Sequence, residues 1–316
     1  MDNNATTIAQ ALRYGQQILS PLYGKQEAKA LSRLALQHIL QYNSSTQLLL
    51  NAHTKLTSTQ TDDINNCWQL LLNNKPLQYI TQSTSFCGLT IRCTPAALIP
   101  RPETEELVHD VVAHNRLLSL PLPQPDNALA PPPTRQLRIL DIGTGTGCIA
   151  LAIKKNIPDA EVWALDISNE ALVLAQQNAR QLGLNIWFLQ ADILNLADPQ
   201  YPIPDNIQDA ISNKFDVIVS NPPYIAEKEK ATMLPNVLDY EPHTALFVPD
   251  SDPLLFYRAI CKFAQHYLNC KGHVFLEINE HYAHEILQLL SAENAKNIEV
   301  KKDINEKYRI VRASFN

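Results

Sequence analysis

The chain has 316 residues, 45% of them hydrophobic and 18% charged, with a formal net charge of −6. Such a length supports a substantial core and allows two domains, while the acidic balance leaves no basic footprint for tight binding to a nucleic-acid backbone. Six cysteines (Cys67, Cys87, Cys93, Cys148, Cys261, Cys270) are scattered without C-x-x-C spacing, which argues against a zinc site or disulfide framework and for reduced thiols. The opening Met1-Asp2-Asn3-Asn4 has no basic leader character and no long apolar span follows, so the expectation is a soluble cytoplasmic protein.

The first 70 or so residues read as helices. Leu31, Leu34, Ala35 and Ile39 follow helical spacing, as do Ile64, Cys67, Trp68 and Leu71, so this is a small amphipathic bundle with polar connections such as Asn43-Ser44-Ser45-Thr46. His38 reads as a packed or surface histidine rather than a ligand. From 76 to 100 the pattern changes. Ser85-Phe86-Cys87-Gly88-Leu89-Thr90-Ile91-Arg92-Cys93 alternates around a glycine, which predicts a hairpin between domains. Pro100 and Pro102 hold an extended entry, and Glu103, Glu105 and Glu106 suit the first turn of a helix. The segment 121–133 carries a run of prolines and reads as an exposed connection. The polar stretch 198–213 reads as another surface loop.

After Pro133 the chain alternates strand and helix. Strands are expected at 137–142, 161–166, 185–192, 215–220 and 273–278, with late ones near 298–302 and 308–315. Helices such as 171–182 and Leu255–Tyr267 lie between them. The alternation predicts an α/β fold with a mostly parallel sheet covered on both faces.

Asp141-Ile142-Gly143-Thr144-Gly145-Thr146-Gly147 ends the first strand of this sheet and opens a helix. Glycines at these positions let the backbone approach a ligand closely. A glycine triplet also occurs in dinucleotide folds, but the spacing here is G-x-G-x-G behind an acid, not G-x-G-x-x-G. The next strand ends at Asp166, 19 residues after Gly147, where a carboxylate can accept both hydrogens of a ribose diol. Asp192 closes the following strand and could accept from an adenine amino group. Three carboxylates near one ligand argue against a pyrophosphate and for a cationic adenosyl compound, S-adenosylmethionine. The competing reading is that these aspartates only cap strand ends and turns. Gly143, Thr144, Gly145, Thr146, Gly147, Asp166, Asp192 and Asn221 are the candidate cofactor residues.

Asn221-Pro222-Pro223-Tyr224 follows the apolar run Phe215-Asp216-Val217-Ile218-Val219-Ser220. This sets an amide, a carbonyl and an aromatic face at the carboxyl end of a strand. The two prolines fix φ and donate no hydrogen bond, so the turn is stiff. The guest that suits it is a planar NH2 group, either an amide or an exocyclic base amine. A purely structural alternative for Asn221 is a turn-capping asparagine.

Taken together, these stretches resemble class I S-adenosylmethionine-dependent methyltransferases, and more narrowly the protein-glutamine N5-methyltransferases that modify peptide chain release factors. The narrower resemblance rests on Ile99-Pro100-Arg101-Pro102-Glu103-Thr104-Glu105, the segment Leu140 to Gly147, Asn221 to Tyr224, Tyr240-Glu241-Pro242 with Ala245-Leu246, and Lys302-Asp303 with Arg309-Ile310-Val311-Arg312. It covers nearly the full length. It implies a Rossmann-like mixed seven-stranded sheet, with a helical substrate-recognition domain over 1–75, a hairpin linker over 76–100 and a methyltransferase domain over 101–316. Two stretches depart from the family pattern. Glu277-Ile278-Asn279 with Tyr282 stands where Glu-x-Gly and a later glutamine are expected, and Val248-Pro249-Asp250-Ser251-Asp252-Pro253 replaces a glycine-rich segment. Both lie outside the cofactor and acceptor motifs, so they bear on loop geometry more than on chemistry.

The resemblance implies a release-factor substrate, no metal, no nucleic acid and no membrane. Asn221, Pro222 and Tyr224 are the expected catalytic residues, and Asn221, Pro222, Pro223 and Tyr224 the substrate-binding ones. Asn221 Oδ1 and the Pro222 carbonyl would each accept one amide hydrogen, and Tyr224 would pack on the amide plane. Arg101, Glu103 and Glu105 have two readings: they line the methionyl end of the cofactor, or they cap a helix and form a surface ion pair. His281 and His284 are expected on one helix face in a surface or packing role. The rival readings are a glutamine methyltransferase of a large-subunit ribosomal protein, a DNA adenine N6-methyltransferase, which shares Asn-Pro-Pro-Tyr, and a non-catalytic adaptor.

Overall fold

The structure, a computed structural model, describes residues 6–118 and 136–315. The proline-rich segment 121–133 and the opening Met1 to Asn4 lie outside the described residues. Two compact units are present: the described residues up to Ser83 with Leu234–Tyr240, and Thr84–Met233 with the described residues from Glu241 onward.

In the first unit, helical stretches span Ile8–Ile39, Ser45–Leu50, Ser58–Leu72 and Leu77–Ile80, and the first is broken at Gly24. Three of them start on the same device. Thr7 with Gln10, Ser44 with Gln47, and Thr57 with Gln60 each form a reciprocal capping box, the S/T-x-x-Q signature that satisfies otherwise orphaned amide donors. Ile64, Cys67, Trp68 and Leu71 are all buried, facing Leu19, Ala28, Ala35 and Leu36. Leu34 departs from the expected face and is 48% exposed. The buried face of its helix runs through Ala28, Ser32, Ala35 and Leu36, and Leu34 stands two residues from both Ser32 and Leu36, on the opposite side. His38 is exposed. A Cβ added at Gly15 would lie 2.7 Å from Trp68 Cζ2. Gly15→Ala is therefore expected to lower stability by about 1–3 kcal/mol, read as a lowered urea midpoint.

The second unit opens with a hairpin, β1 (Ser83–Phe86) and β2 (Leu89–Arg92). Its two-residue turn has Cys87 at φ 47° and Gly88 at φ 68°, the left-handed pair that matches the twist of a hairpin. The main sheet contains β3 (Arg138–Ile142), β4 (Glu161–Asp166), β5 (Trp187–Gln190), β6 (Phe215–Ser220), β9 (Leu268–Glu277), β10 (Lys296–Lys302) and β11 (Tyr308–Ser314). A short parallel pair, β7 (Ile225–Ala226) and β8 (Phe247–Val248), lies apart from it. The order across the main sheet is β10-β11-β9-β6-β3-β4-β5, with β11 antiparallel to both neighbours and the other pairs parallel. Every residue of β3 is buried, as expected of a central strand covered on both faces. This is the mixed seven-stranded α/β sheet anticipated from the sequence.

Two expectations change. The stretch 198–213 contains a helix, Asp205–Ser212, which buries Ile207, Ala210 and Ile211; those three at i, i+3 and i+4 suffice to dock a polar segment. His281 and His284 do not share one helix, because His281 sits in a 3-10 turn (Glu280–Tyr282) and His284 in the following helix, Ala283–Ala292. Both are exposed.

His114, on helix Pro102–Leu118, and His273, on β9, stack edge-to-face with centroids 4.2 Å apart. Burial, then His114 and Arg312, lower the His273 pKa to about 4, with Glu299 opposing. Burial, then Arg312, lower that of His114, with Asp110 and Glu299 opposing and Lys301 adding to the fall. Unfolded histidine titrates near 6.5, so the stability of the neutral pair is fully present above that pH and is lost as pH falls toward 4. After discounting for solvent screening, the loss at His273 is about 1–2 kcal/mol. Urea unfolding at pH 7 and pH 4.5 should show a smaller pH-dependent loss for His273→Gln than for the unsubstituted protein.

Candidate active site

β3, β4, β5 and β6 run parallel, so their carboxyl ends meet at one edge, and the strand order reverses between β3 and β6. A crevice at that reversal is where open α/β sheets hold ligands. Here it is a cavity of about 370 Å³. The Gly143–Thr146 segment after β3, Asp166 at the end of β4, Asp192 after β5, and Asn221, Pro222 and Pro223 after β6 all line it. The structure thus brings together nearly every residue singled out from the sequence. Gly147 and Tyr224 stand behind the lining.

The glycine loop is shaped from both sides. Gly143, Gly145 and Gly147 have φ of 73°, 54° and 82°, a region where side chains are strained. Gly147 caps helix Cys148–Asn156, and a Cβ there would lie 3.0 Å from Ala175 Cβ, so its role is close helix packing. Asp141, fully buried, accepts from Thr144 Oγ1 at 2.6 Å and from the Ala150 amide at 3.2 Å through Oδ2, which ties the loop to that helix. Burial pushes its pKa up to about 7.

Asp166 accepts the Gly145 amide at 2.8 Å on Oδ2 and the Ser168 amide at 2.9 Å on Oδ1. A carboxylate has about four acceptor sites, so acceptor capacity remains for a ligand. Burial raises its pKa, and the two amides oppose that shift. Asp192 caps the short helix Ile193–Leu196 by accepting the Leu194 amide at 2.9 Å, so it has a capping role as well as a place in the cavity wall.

The Asn221 turn is held by a chain of hydrogen bonds that begins at Thr104, itself in the cavity wall. Asn221 Nδ2 donates to Thr104 Oγ1 at 3.2 Å, and Thr104 Oγ1 donates to Glu277 Oε2 at 2.7 Å. The Tyr224 hydroxyl donates to Glu277 Oε1 at 3.1 Å, and Asn279 Nδ2 donates to the Tyr224 carbonyl at 3.2 Å. Burial and the Glu277 charge push the Tyr224 phenol up, so it remains a donor. Thr104, Glu277 and Asn279 were not legible as site residues. Glu277-Ile278-Asn279 does more than shape a loop, because two of its side chains fix the turn.

Arg101 lines the cavity and pairs with Glu241 at 2.5 Å, while Glu241 also accepts the Ile99 amide at 3.1 Å. Glu241 is 4% exposed and the Arg101 side chain 34%, so this is a half-buried ion pair rather than a surface one. Glu103 and Glu105 lie in the first turn of helix Pro102–Leu118, where acidic side chains favour the helix dipole. In the replaced glycine-rich segment, Asp252 holds Arg258 through two hydrogen bonds, at 2.6 and 3.2 Å.

The charged residues in the cavity wall are Arg101, Asp166 and Asp192, and the arginine is already neutralised by Glu241. The remaining balance is acidic. That donor set fits a sulfonium-bearing adenosyl compound and offers no cation to a pyrophosphate.

Comparison with known proteins shows the family and the fold. Residues 133–305 match a methyltransferase domain model and residues 10–81 a PrmC N-terminal domain model. The release factor glutamine methyltransferase of Bacteroides thetaiotaomicron is 38% identical, over 95% of this chain and 98% of its own. That of Flavobacterium psychrophilum is also 38% identical, over 95% and 96%. Among solved structures, the hMettl16 catalytic domain in complex with MAT2A 3'UTR hairpin 6 aligns with a TM-score of 0.50 at 15% identity, over 82% of this chain and 83% of that one, which speaks to the fold alone. The chain belongs to the release factor glutamine methyltransferase family and is an S-adenosylmethionine-dependent methyltransferase.

Proposed function

We propose that the chain methylates the side-chain amide nitrogen, N5, of a glutamine in peptide chain release factors. The supporting observation is that one cavity is lined by both the glycine loop with Asp166 and the Asn221-Pro222-Pro223 turn, so methyl donor and amide acceptor can meet there. When bound, S-adenosylmethionine supplies a methyl group already activated on sulfur, and the protein's task is to prepare the acceptor.

An amide nitrogen is a poor nucleophile because its lone pair is delocalised into the carbonyl. Asn221 Oδ1 and the Pro222 carbonyl each take one amide hydrogen, which fixes the NH2 group and frees the lone pair to point into the cavity. Orientation of this kind can supply several of the roughly 7–11 kcal/mol available from ideal positioning. The same two oxygens stabilise positive charge growing on nitrogen as the C–S bond breaks, and the methylated amide, a strong acid, then releases one N–H proton to water. Gly143, Thr144, Gly145 and Thr146 form the backbone cradle, with Gly147 packing its helix, and Asp166 accepts the ribose hydroxyls. Asp192 would hold the adenine amino group. Tyr224, with its hydroxyl on Glu277, stiffens the turn.

In this reading residues 1–75 recognise the release factor, 76–100 link, and 101–316 carry out transfer in the cytoplasm. None of the described helices is long and apolar enough to cross a membrane. Family membership favours a protein glutamine over a DNA adenine, as does the net charge of −6. Incubation with labelled S-adenosylmethionine and purified release factors, ribosomal proteins or DNA tests the assignment. Label should appear on release factors, and label on DNA alone would sink the protein substrate.

A further inference from the structure

A primary amide can face a guest with either end, and only the oxygen can accept an N–H from a substrate amide. The setting of Asn221 is therefore a functional variable, and the groups behind it decide it. Glu277 is 2% exposed and accepts on both oxygens, from Thr104 Oγ1 at 2.7 Å and from the Tyr224 hydroxyl at 3.1 Å. A carboxyl that accepts on both oxygens has no hydrogen left to give, so the Thr104 hydrogen is spent on it. Thr104 Oγ1 is then left with lone pairs alone and can only accept from Asn221, which it does from Nδ2 at 3.2 Å. The nitrogen end of Asn221 is thereby committed to Thr104 in the cavity wall, and Oδ1 is the end left for a substrate.

Glu277 is itself held in place. Tyr257 donates to its backbone carbonyl at 3.2 Å. Burial raises the Glu277 pKa, while Thr104, Arg309 and Tyr224 oppose that rise. Arg309 is anchored by Asp303 at 3.1 Å, whose side chain is fully buried. These links span from residue 104 to residue 309 and converge on one carboxylate.

We propose that Glu277, acting through Thr104, is a positioning residue that sets the polarity of the Asn221 amide, so that Oδ1 rather than Nδ2 meets the substrate nitrogen. The inference rests on the proposed role of Asn221. A reversed amide would turn N–H groups toward the substrate NH2 and leave donors facing donors. Glu277→Gln permits such a reversal without loss of volume. Its NH2 end must donate to one hydroxyl, and when that is Thr104, the Thr104 hydrogen turns toward Asn221.

Thr104→Val, Thr104→Ser and Glu277→Gln test this directly. Thr104→Val should lower kcat by about 10- to 100-fold, the effect of one misplaced polar group, with S-adenosylmethionine affinity near that of the unsubstituted protein and a thermal midpoint lowered by the bond that buried Glu277 loses. Thr104→Ser, which keeps the hydroxyl, should restore kcat to within about threefold of the unsubstituted enzyme. Glu277→Gln should lower kcat similarly, and the double variant should fall no further, because both changes break one chain of bonds. Independently of any substrate, the Asn221 side-chain NH2 in 15N-labelled protein should show one slowly exchanging hydrogen that Thr104→Val makes fast. Undiminished kcat in Thr104→Val, multiplying effects in the double variant, or unaltered Asn221 exchange would each overturn the inference. An unsubstituted enzyme that leaves release factors unmethylated would remove the substrate reading instead, and the exchange measurement would still decide the amide's polarity.

Discussion

Asn221→Ala is expected to lower kcat by about 100- to 1,000-fold, the usual loss when one preorganised polar partner of a developing charge is removed. S-adenosylmethionine affinity should stay within about threefold, a difference of well under 1 kcal/mol. The separation follows from the two halves of the cavity wall. The glycine loop and Asp166 are built on β3 and β4, with their own amide links, whereas Asn221 follows β6 and is tied to Thr104. Alanine also leaves the stiff Pro222-Pro223 backbone in place, so the Pro222 carbonyl remains as a single acceptor. One acceptor holds the substrate amide without fixing its rotation. Single-turnover rates and calorimetric titration of S-adenosylmethionine read the two effects separately.

Asp166→Ala should show the opposite pattern. Its carboxylate holds the loop amides of Gly145 and Ser168, at 2.8 and 2.9 Å, while facing the cavity. Removal deletes the acceptors proposed for the ribose and leaves both amides without their partner. Two hydrogen bonds to a charged group at about 1.5–3 kcal/mol each predict a Kd for S-adenosylmethionine raised at least about 100-fold. At saturating S-adenosylmethionine, kcat should fall by less than about 10-fold, because the acceptor turn is untouched. Asp166→Asn should be intermediate, since its single carbonyl oxygen can serve only part of the same set. The folded Asp166 pKa is raised, chiefly by burial. Affinity should therefore weaken as pH falls through that raised pKa, because the protonated acid loses acceptor capacity.

Much of this was legible in the chain because the relevant signals are local. The apolar run at Phe215–Ser220 and the strand Glu161–Asp166 matched the structure residue for residue. The strand predicted at 185–192 shortened to Trp187–Gln190, and β9 began at Leu268 rather than His273. Strand ends depend on pairing with neighbours, which composition does not encode. Asp205–Ser212 was read as a loop because its polar residues outnumber the three that dock it.

The site divided along the same line. Glycine spacing and strand-end aspartates are short-range features, and they led to residues that share a cavity. The supports behind them are long-range. Thr104 meets Glu277 across 173 positions, and Arg101 meets Glu241 across 140. No spacing rule reaches that far, and the departure at Asn279 drew attention to a missing glycine rather than to the amide that anchors Tyr224. The departure itself was the only available signal. A polar residue at the end of an interior strand needs a buried partner, and at Glu277 that partner is the acceptor turn.

The most direct test of the central claim is tandem mass spectrometry of a purified release factor after incubation with this enzyme and S-adenosylmethionine. The account predicts one added methyl on the side-chain nitrogen of a glutamine, lost when Asn221→Ala replaces the unsubstituted enzyme. A methyl on any other side chain, or undiminished glutamine methylation by Asn221→Ala, would contradict it.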